Sequence, residues 1–120
     1  MKVAVSCTGK DLDSQVDPRF GRAACFLLVD TETLAFEVVS NTQNLQAAQG
    51  AGVQAASLIA RKKPDAVLTG HCGPKAFQVL QAAGIPVYVG VSGTVKEAIA
   101  CFQKGELTPS TAPNAEAHWS

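Results

Sequence analysis

Ala24-Cys25-Phe26-Leu27-Leu28-Val29-Asp30, then Thr31-Glu32-Thr33, then Leu34-Ala35-Phe36-Glu37-Val38-Val39-Ser40 is the stretch whose reading decides the fold. The first run is continuously apolar and of strand length. The second is rich in branched and aromatic residues. A three-residue connection leaves no room for a crossover, so the two form an antiparallel hairpin. Upstream, Lys2–Ser6 carries Val3 and Val5 and reads as a first strand closed by Thr8-Gly9. A polar loop from Lys10 to about Arg22 joins it to the hairpin.

Downstream the period changes. After a second polar loop, Asn41 to Gln49, the pattern from about Gly50 to Lys62 turns helical. Val53, Ala56, Ile59 and Ala60 share one face, and Arg61 and Lys62 suit the negative end of the helix dipole. Pro64 stops this helix. Asp65–Thr69 is a fourth strand, followed by Gly70-His71-Cys72-Gly73. Pro74 fits a first helical position, and the helix Lys75–Ala83 turns Phe77, Leu80 and Ala83 inward before Gly84. Ile85–Val89 is a fifth strand. Thr94 and Glu97 have capping-box spacing for a last helix, whose buried stripe is Val95, Ala98, Ile99 and Phe102, with Gly105 at its end.

The order is therefore β-β-β-α-β-α-β-α. A hairpin fused to right-handed β-α-β units predicts an α/β fold with a mixed five-stranded sheet. The expected spatial order is 3-2-1-4-5, with strand 2 antiparallel to the rest. Residues 1–107 are expected to form one domain. Residues 108–120, with Pro109, Pro113 and small polar neighbours, are expected to be a tail with little fixed structure.

Composition narrows the function classes. The chain has 120 residues, 47% hydrophobic, with ten basic and ten acidic side chains and a formal net charge of zero. One core fits that length. A neutral balance argues against a general nucleic-acid or membrane-surface role. No apolar run approaches the roughly 20 residues that span a bilayer, so the expected compartment is the cytoplasm. Cys7, Cys25, Cys72 and Cys101 lack C-x-x-C spacing and are expected to be thiols.

In an open α/β sheet, ligands sit beyond the carboxyl ends of the parallel strands. Those ends carry Ser6-Cys7-Thr8-Gly9, Gly70-His71-Cys72-Gly73-Pro74 and Gly90-Val91-Ser92-Gly93-Thr94. With strands one and four adjacent, Cys7, His71 and Cys72 are expected to project into one crevice as candidate metal ligands. Two sulfurs and an imidazole suit thiophilic metals. Cys25 and Cys101 read as packing residues, and His118 as a solvated tail residue. The loop Asp17-Pro18-Arg19-Phe20-Gly21-Arg22 reads as an anion-recognition loop, since guanidinium groups pair with anions and stack on rings. Lys75 adds charge at a helix start. Gly70, Gly73 and Gly93 would let backbone approach a ligand closely. Enzymatic readings fare poorly. His71 and Cys72 are sequence neighbours whose side chains diverge, which is not triad geometry. A nuclease of this topology would need carboxylates on the central strands, and Val3–Cys7 has none. No Walker A or G-x-G-x-x-G pattern is present.

Met1–Gly9, Asp17–Ala23, Gly50–Ala56, Gly70–Phe77 and Gly93–Ala98, in this order and spacing, resemble the dinitrogenase iron–molybdenum cofactor family over roughly residues 1–107. The resemblance implies a three-layer α/β/α, ribonuclease-H-like fold. It also implies non-catalytic binding and carriage of a metal–sulfur cluster or its precursor, of the iron–sulfur, iron–molybdenum or molybdenum–copper sulfide type. Protein partners that donate or accept the cluster follow from it. Among short stand-alone members, non-covalent holding of a sulfide-rich anion would give Arg19, Arg22 and Lys75 more weight than the thiols. The other reading is a module that acts on a partner ATPase or regulator without bound metal.

Overall fold

The computed structural model describes residues 1–41 and 50–112. Five strands and three helices follow one another: β1 (Lys2–Cys7), β2 (Cys25–Asp30), β3 (Phe36–Ser40), α1 (Ala51–Lys62), β4 (Ala66–Leu68), α2 (Pro74–Ala82), β5 (Val87–Tyr88) and α3 (Val95–Gln103). The sheet order is β3-β2-β1-β4-β5. β2 runs antiparallel to both neighbours, while β1, β4 and β5 are parallel. The topology expected from the hairpin and the crossovers is the one observed. Most of the expected polar loop 41–49 lies outside the described residues, as does His118.

β1 is buried along Val3–Cys7 because both faces of the sheet are covered. Ala4 packs on the α1/α2 side with Phe20, Phe26, Ala56, Ile59, Val67, Phe77 and Leu80. Val3, Val5 and Cys7 pack on the α3 side with Cys25, Leu27, Leu68, Val95, Ala98 and Ile99. The result is the three-layer α/β/α arrangement. Ala56 and Ile59 of α1, Phe77 and Leu80 of α2, and Val95, Ala98 and Ile99 of α3 are buried as the apolar spacing predicts, whereas Val53, Ala60 and Phe102 are half-buried and Ala83, expected inward, is exposed because α2 ends at Ala82.

Element ends follow local chemistry. The third strand begins at Phe36, later than expected, because Leu34 adopts the left-handed region at φ 64°. Its N–H bonds Asp30 O at 2.8 Å, and Asp30 Oδ1 accepts from the N–H groups of Glu32 and Thr33. Those two donors hold the Asp30 carboxyl below the usual carboxylate range. α1 ends at Lys63, also left-handed at φ 53°, just before Pro64. α3 opens with the full capping box: Glu97 N–H to Thr94 Oγ1 at 3.1 Å and Thr94 N–H to Glu97 Oε1 at 2.9 Å. The described part of the expected tail is not detached from the domain, since Ser110 N–H bonds Val87 O at 2.7 Å.

The long connection from β1 to β2 crosses the carboxyl ends of the parallel strands and is sewn to each of them. Asp17 N–H bonds Ser6 O, Val16 N–H bonds Gly93 O, Val95 N–H bonds Ser14 O and His71 N–H bonds Pro18 O, all between 2.7 and 2.9 Å. Beneath this crossing lie two fully buried hydroxyls. Ser6 Oγ is 2.8 Å from both Asp17 O and Thr69 Oγ1. A carbonyl can only accept, so the Ser6 proton goes to Asp17 O and the Thr69 hydroxyl donates to Ser6. Ser6→Ala therefore orphans a buried carbonyl and a buried hydroxyl. We expect a stability loss of about 1–3 kcal/mol, read as a lower urea midpoint with an unchanged slope. An unchanged midpoint would show that this network carries no net stability.

Candidate functional site

The segment Asp17–Arg22 is held in one conformation by its own residues. Asp17 is buried, and its Oδ1 accepts the Arg19 N–H at 3.0 Å. The same oxygen lies 3.6 Å from Arg19 Nε, pairing a buried carboxylate with a guanidinium whose side chain is 49% exposed. Phe20 turns inward. It is fully buried and meets the Phe26 ring with centroids 5.1 Å apart and planes at 51°. The aromatic between the arginines therefore anchors the loop to the core and leaves the charges at the surface. Asn41 secures the other end: its Nδ2 donates to Gly21 O at 3.2 Å and Ala23 O at 2.8 Å.

This loop pairs with the segment leaving β4. Arg19 and His71 form an isolated parallel bridge, with His71 N–H to Pro18 O at 2.7 Å and Phe20 N–H to His71 O at 3.1 Å. Gly70 permits the approach. A Cβ there would lie 2.7 Å from Pro18 Cα and 2.8 Å from Pro18 O, a clash with backbone that cannot relax cheaply. Gly70 thus serves loop-to-strand contact. Arg19 and His71 are brought together, Arg19 exposed and His71 half-buried, and Arg22, three residues along the loop, is half-buried. Two residues on, Gly73 caps α2 with extended backbone and no side-chain acceptor, Pro74 fills the first turn, and Lys75 is exposed. The leading N–H groups of this helix have no capping side chain, and its dipole adds positive potential. Asp17 is the acid built into this loop, set against Arg19, Arg22 and Lys75.

The expectation that Cys7, His71 and Cys72 share a crevice is corrected by the two-sided core. Cys7 belongs to the α3-side cluster and Cys72 to the α1/α2-side cluster, on opposite faces of the sheet. Among the described residues no three His, Cys, Asp or Glu side chains are grouped to hold a metal ion. Cys72 is fully buried, and burial pushes its thiol up to about 12. Burial likewise pushes the Cys7 thiol strongly upward, helped by its contacts with Cys25. At neutral pH these are thiols rather than thiolate ligands. Gly93 also stands apart from an anion cradle. Its φ is +87°, its carbonyl accepts from Val16, and a Cβ there would lie 3.0 Å from Glu97 Oε1. The Thr94 N–H and hydroxyl hold that carboxyl below its usual range, so the third strand-end turn carries a negative charge.

The donor set thus suits an anion better than a bare metal ion. Sequence reasoning missed Asn41 and the Ser6–Thr69 pair. Ser6 directly precedes Cys7 at the end of an apolar strand, a signal available but unread. Asn41 sits alone after β3, and its partners lie 18 and 20 residues away.

Known proteins of the same shape set this geometry in context. The apo form of the orange protein from Desulfovibrio gigas superimposes with a TM-score of 0.92 and 44% identity, covering 95% of this chain and 96% of that one. A NifB-type protein from Thermotoga, solved by NMR, gives 0.80 and 38%, covering 95% and 97%. An uncharacterized protein of Methanocaldococcus jannaschii is 33% identical over 98 residues, 79% of this chain and 82% of its own length. The family described as dinitrogenase iron-molybdenum cofactor matches residues 1–105, the whole sheet and all three helices. This chain therefore belongs to the dinitrogenase iron–molybdenum cofactor family.

Proposed function

We propose that the chain binds and carries a sulfide-rich, anionic metal cluster or cluster precursor, and does so without catalysis. The observation that carries the reading is the backbone pairing of the arginine loop with the His71 segment. It sets Arg19 beside His71, two residues before the N-cap of α2, and Arg22 and Lys75, near these in the chain, would complete a cationic rim whose built-in acid, Asp17, is already paired. Such a rim favours an anion through charge-assisted hydrogen bonds and the helix dipole. Family membership and the likeness to the orange protein support the same class of cargo. Molybdenum–copper sulfide and iron–sulfur or iron–molybdenum species share the chemistry that this rim would recognise. Arg19, Arg22, Lys75 and the His71 segment would make the contacts. Phe20, Gly70 and Cys72 would act beneath them, as the packed floor of the loop.

The direct test is anaerobic incubation with thiomolybdate and copper, or with an iron–sulfur precursor, followed by gel filtration. A coloured complex of one cluster per chain is expected. Arg19→Ala should weaken binding about tenfold, the scale of one charged hydrogen bond. Wild-type affinity should fall as salt rises, and the variant's salt dependence should be flatter. Cys72→Ala should keep the cluster. The reverse pattern, with the cluster lost in Cys72→Ala and retained in Arg19→Ala, would replace charge pairing by sulfur ligation.

The state of Cys72 is separately measurable. In the folded chain its thiol holds its proton to about pH 12, whereas an unfolded cysteine releases it near about 8.5. The resulting stabilisation is complete below about pH 8.5 and declines as pH rises toward 12. Iodoacetamide at pH 8 should therefore label half-buried Cys101 in the native chain and spare Cys72. Rapid native labelling of Cys72 would show a thiolate there.

A further inference from the structure

Cys7 and Cys25 face one another across β1 and β2, in direct antiparallel register at the end of the ladder. Their Sγ atoms are 3.3 Å apart. Both are free thiols, and both donate toward one acceptor, Gly9 O, at 3.0 Å from Cys7 and 2.7 Å from Cys25. Neither has a place in the cation rim, which lies with the loop anchored on the other face of the sheet. Directly opposed antiparallel residues have Cα atoms about 4.5–5.5 Å apart. That lies inside the roughly 4.4–6.8 Å span of disulfide-bonded cysteines. Contact between the sulfurs needs only to shorten to about 2.05 Å.

Cys25 is the less buried of the pair, 4% exposed. Cys25 lines an open-sided cavity of about 220 Å³ together with Thr8, Lys10, Ala24 and Val38. Cys7 is fully buried behind it. A lysine at the rim suits an anionic small molecule, and the cavity has room for the reacting end of a peptide-sized thiol.

We propose that Cys7 and Cys25 form a reversible dithiol–disulfide site, oxidised by low-molecular-weight disulfides of the glutathione class. In the first step the Cys25 sulfur, losing its proton, attacks the small disulfide. A mixed disulfide forms and one small thiol leaves. In the second step the Cys7 thiol passes its proton to the departing small thiolate as its sulfur attacks Cys25 Sγ, giving the Cys7–Cys25 bond and expelling the second small thiol. Two electrons pass from the protein to the small disulfide, and the two protein protons leave with the two released thiols. The product no longer donates to Gly9 O, so the segment 8–15 loses the anchor at its start. That segment continues into Val16 and Asp17 and is bonded through Ser14 and Leu12 to the start of α3. Oxidation therefore loosens the connection that delivers the arginine loop.

The test uses the full chain, reduced, freed of reductant under argon and exposed to oxidised glutathione. After acid quench and alkylation, intact mass should fall by two hydrogens at this pair. Tryptic peptides Val3–Lys10 and Ala23–Arg61 should be linked. Cys101, half-buried and alone, should carry a glutathione adduct and report that the oxidant was active. In Cys7→Ser the adduct should persist on Cys25. Amide exchange in residues 8–15 should quicken in the oxidised chain. Full alkylation of Cys7 and Cys25 under conditions that modify Cys101 would overturn the proposal, as would a stable mixed disulfide on Cys25 of the unmutated chain. A linked pair with unchanged exchange at 8–15 would overturn its coupling to the loop. None of these readouts uses a cluster, so the result is independent of the proposed cargo.

Discussion

Everything at the functional end of this molecule depends on two backbone hydrogen bonds, His71 N–H to Pro18 O and Phe20 N–H to His71 O. They splice a loop without regular structure of its own onto the end of β4. Loops that cross strand ends must satisfy their backbone polar groups or expose them to water. Here the strand ends supply the partners. Ser6 O, His71 O and Gly93 O each accept one bond from the crossing segment, and Pro18 O accepts one from the His71 N–H. Gly70 makes the splice sterically feasible, since any side chain there would meet the Pro18 backbone. Phe20 contributes to its stability, because burying one aromatic ring offsets part of the entropy of ordering the loop. The arginines on either side are then displayed from a rigid base, which lowers the ordering cost of binding.

The fold was legible because it rests on short-range rules. The three-residue connection after Asp30, the proline and glycine stops, and the handedness of crossovers together allow few sheet orders. Leu34 shows the limit of that reading. Its side chain suits a strand, but the turn closed by Asp30 needs a left-handed residue at that place, and the turn prevailed. The site was legible only in outline. Which loops meet follows from strand order, so the pairing of Asp17–Arg22 with Gly70–Gly73 could be expected. Which face each cysteine takes depends on register and on where a loop bends after its strand. Cys7 shares the parity of Val3 and Val5 and turns toward α3, whereas Cys72 lies past the end of β4 and falls toward Phe77. Pattern alone does not relate those two directions.

The Cys7–Cys25 opposition was illegible for a related reason. The β1–β2 register is set through a connection running from Thr8 to Ala24 rather than through a tight turn. A connection of that length leaves register open until tertiary contacts choose it. Cys25 reads as one more apolar residue in a buried run. Only the ladder, which sets Cys7 against Cys25, turns two packing residues into a vicinal dithiol.

The separation of thiols from cations bears on how a sulfide-rich anion would be held. A thiolate ligand needs a place where deprotonation is favourable, such as a helix N-terminus or a neighbouring cation. Cys7 and Cys72 are buried in the two cores, where the charged form is penalised. The helix start and the cations belong instead to Gly73–Lys75 and Arg19–Arg22. A sulfide anion placed at that rim would meet N–H donors and guanidinium groups without any exchange of its own sulfur for protein sulfur. Holding without ligand exchange leaves release dependent on charge and hydrogen bonding alone, which suits a carrier that must give up its cargo. The same partition would keep the Cys7–Cys25 pair clear of cluster sulfur, so its redox state would act on the rim through Gly9 and the loop that leads to it rather than through the cargo.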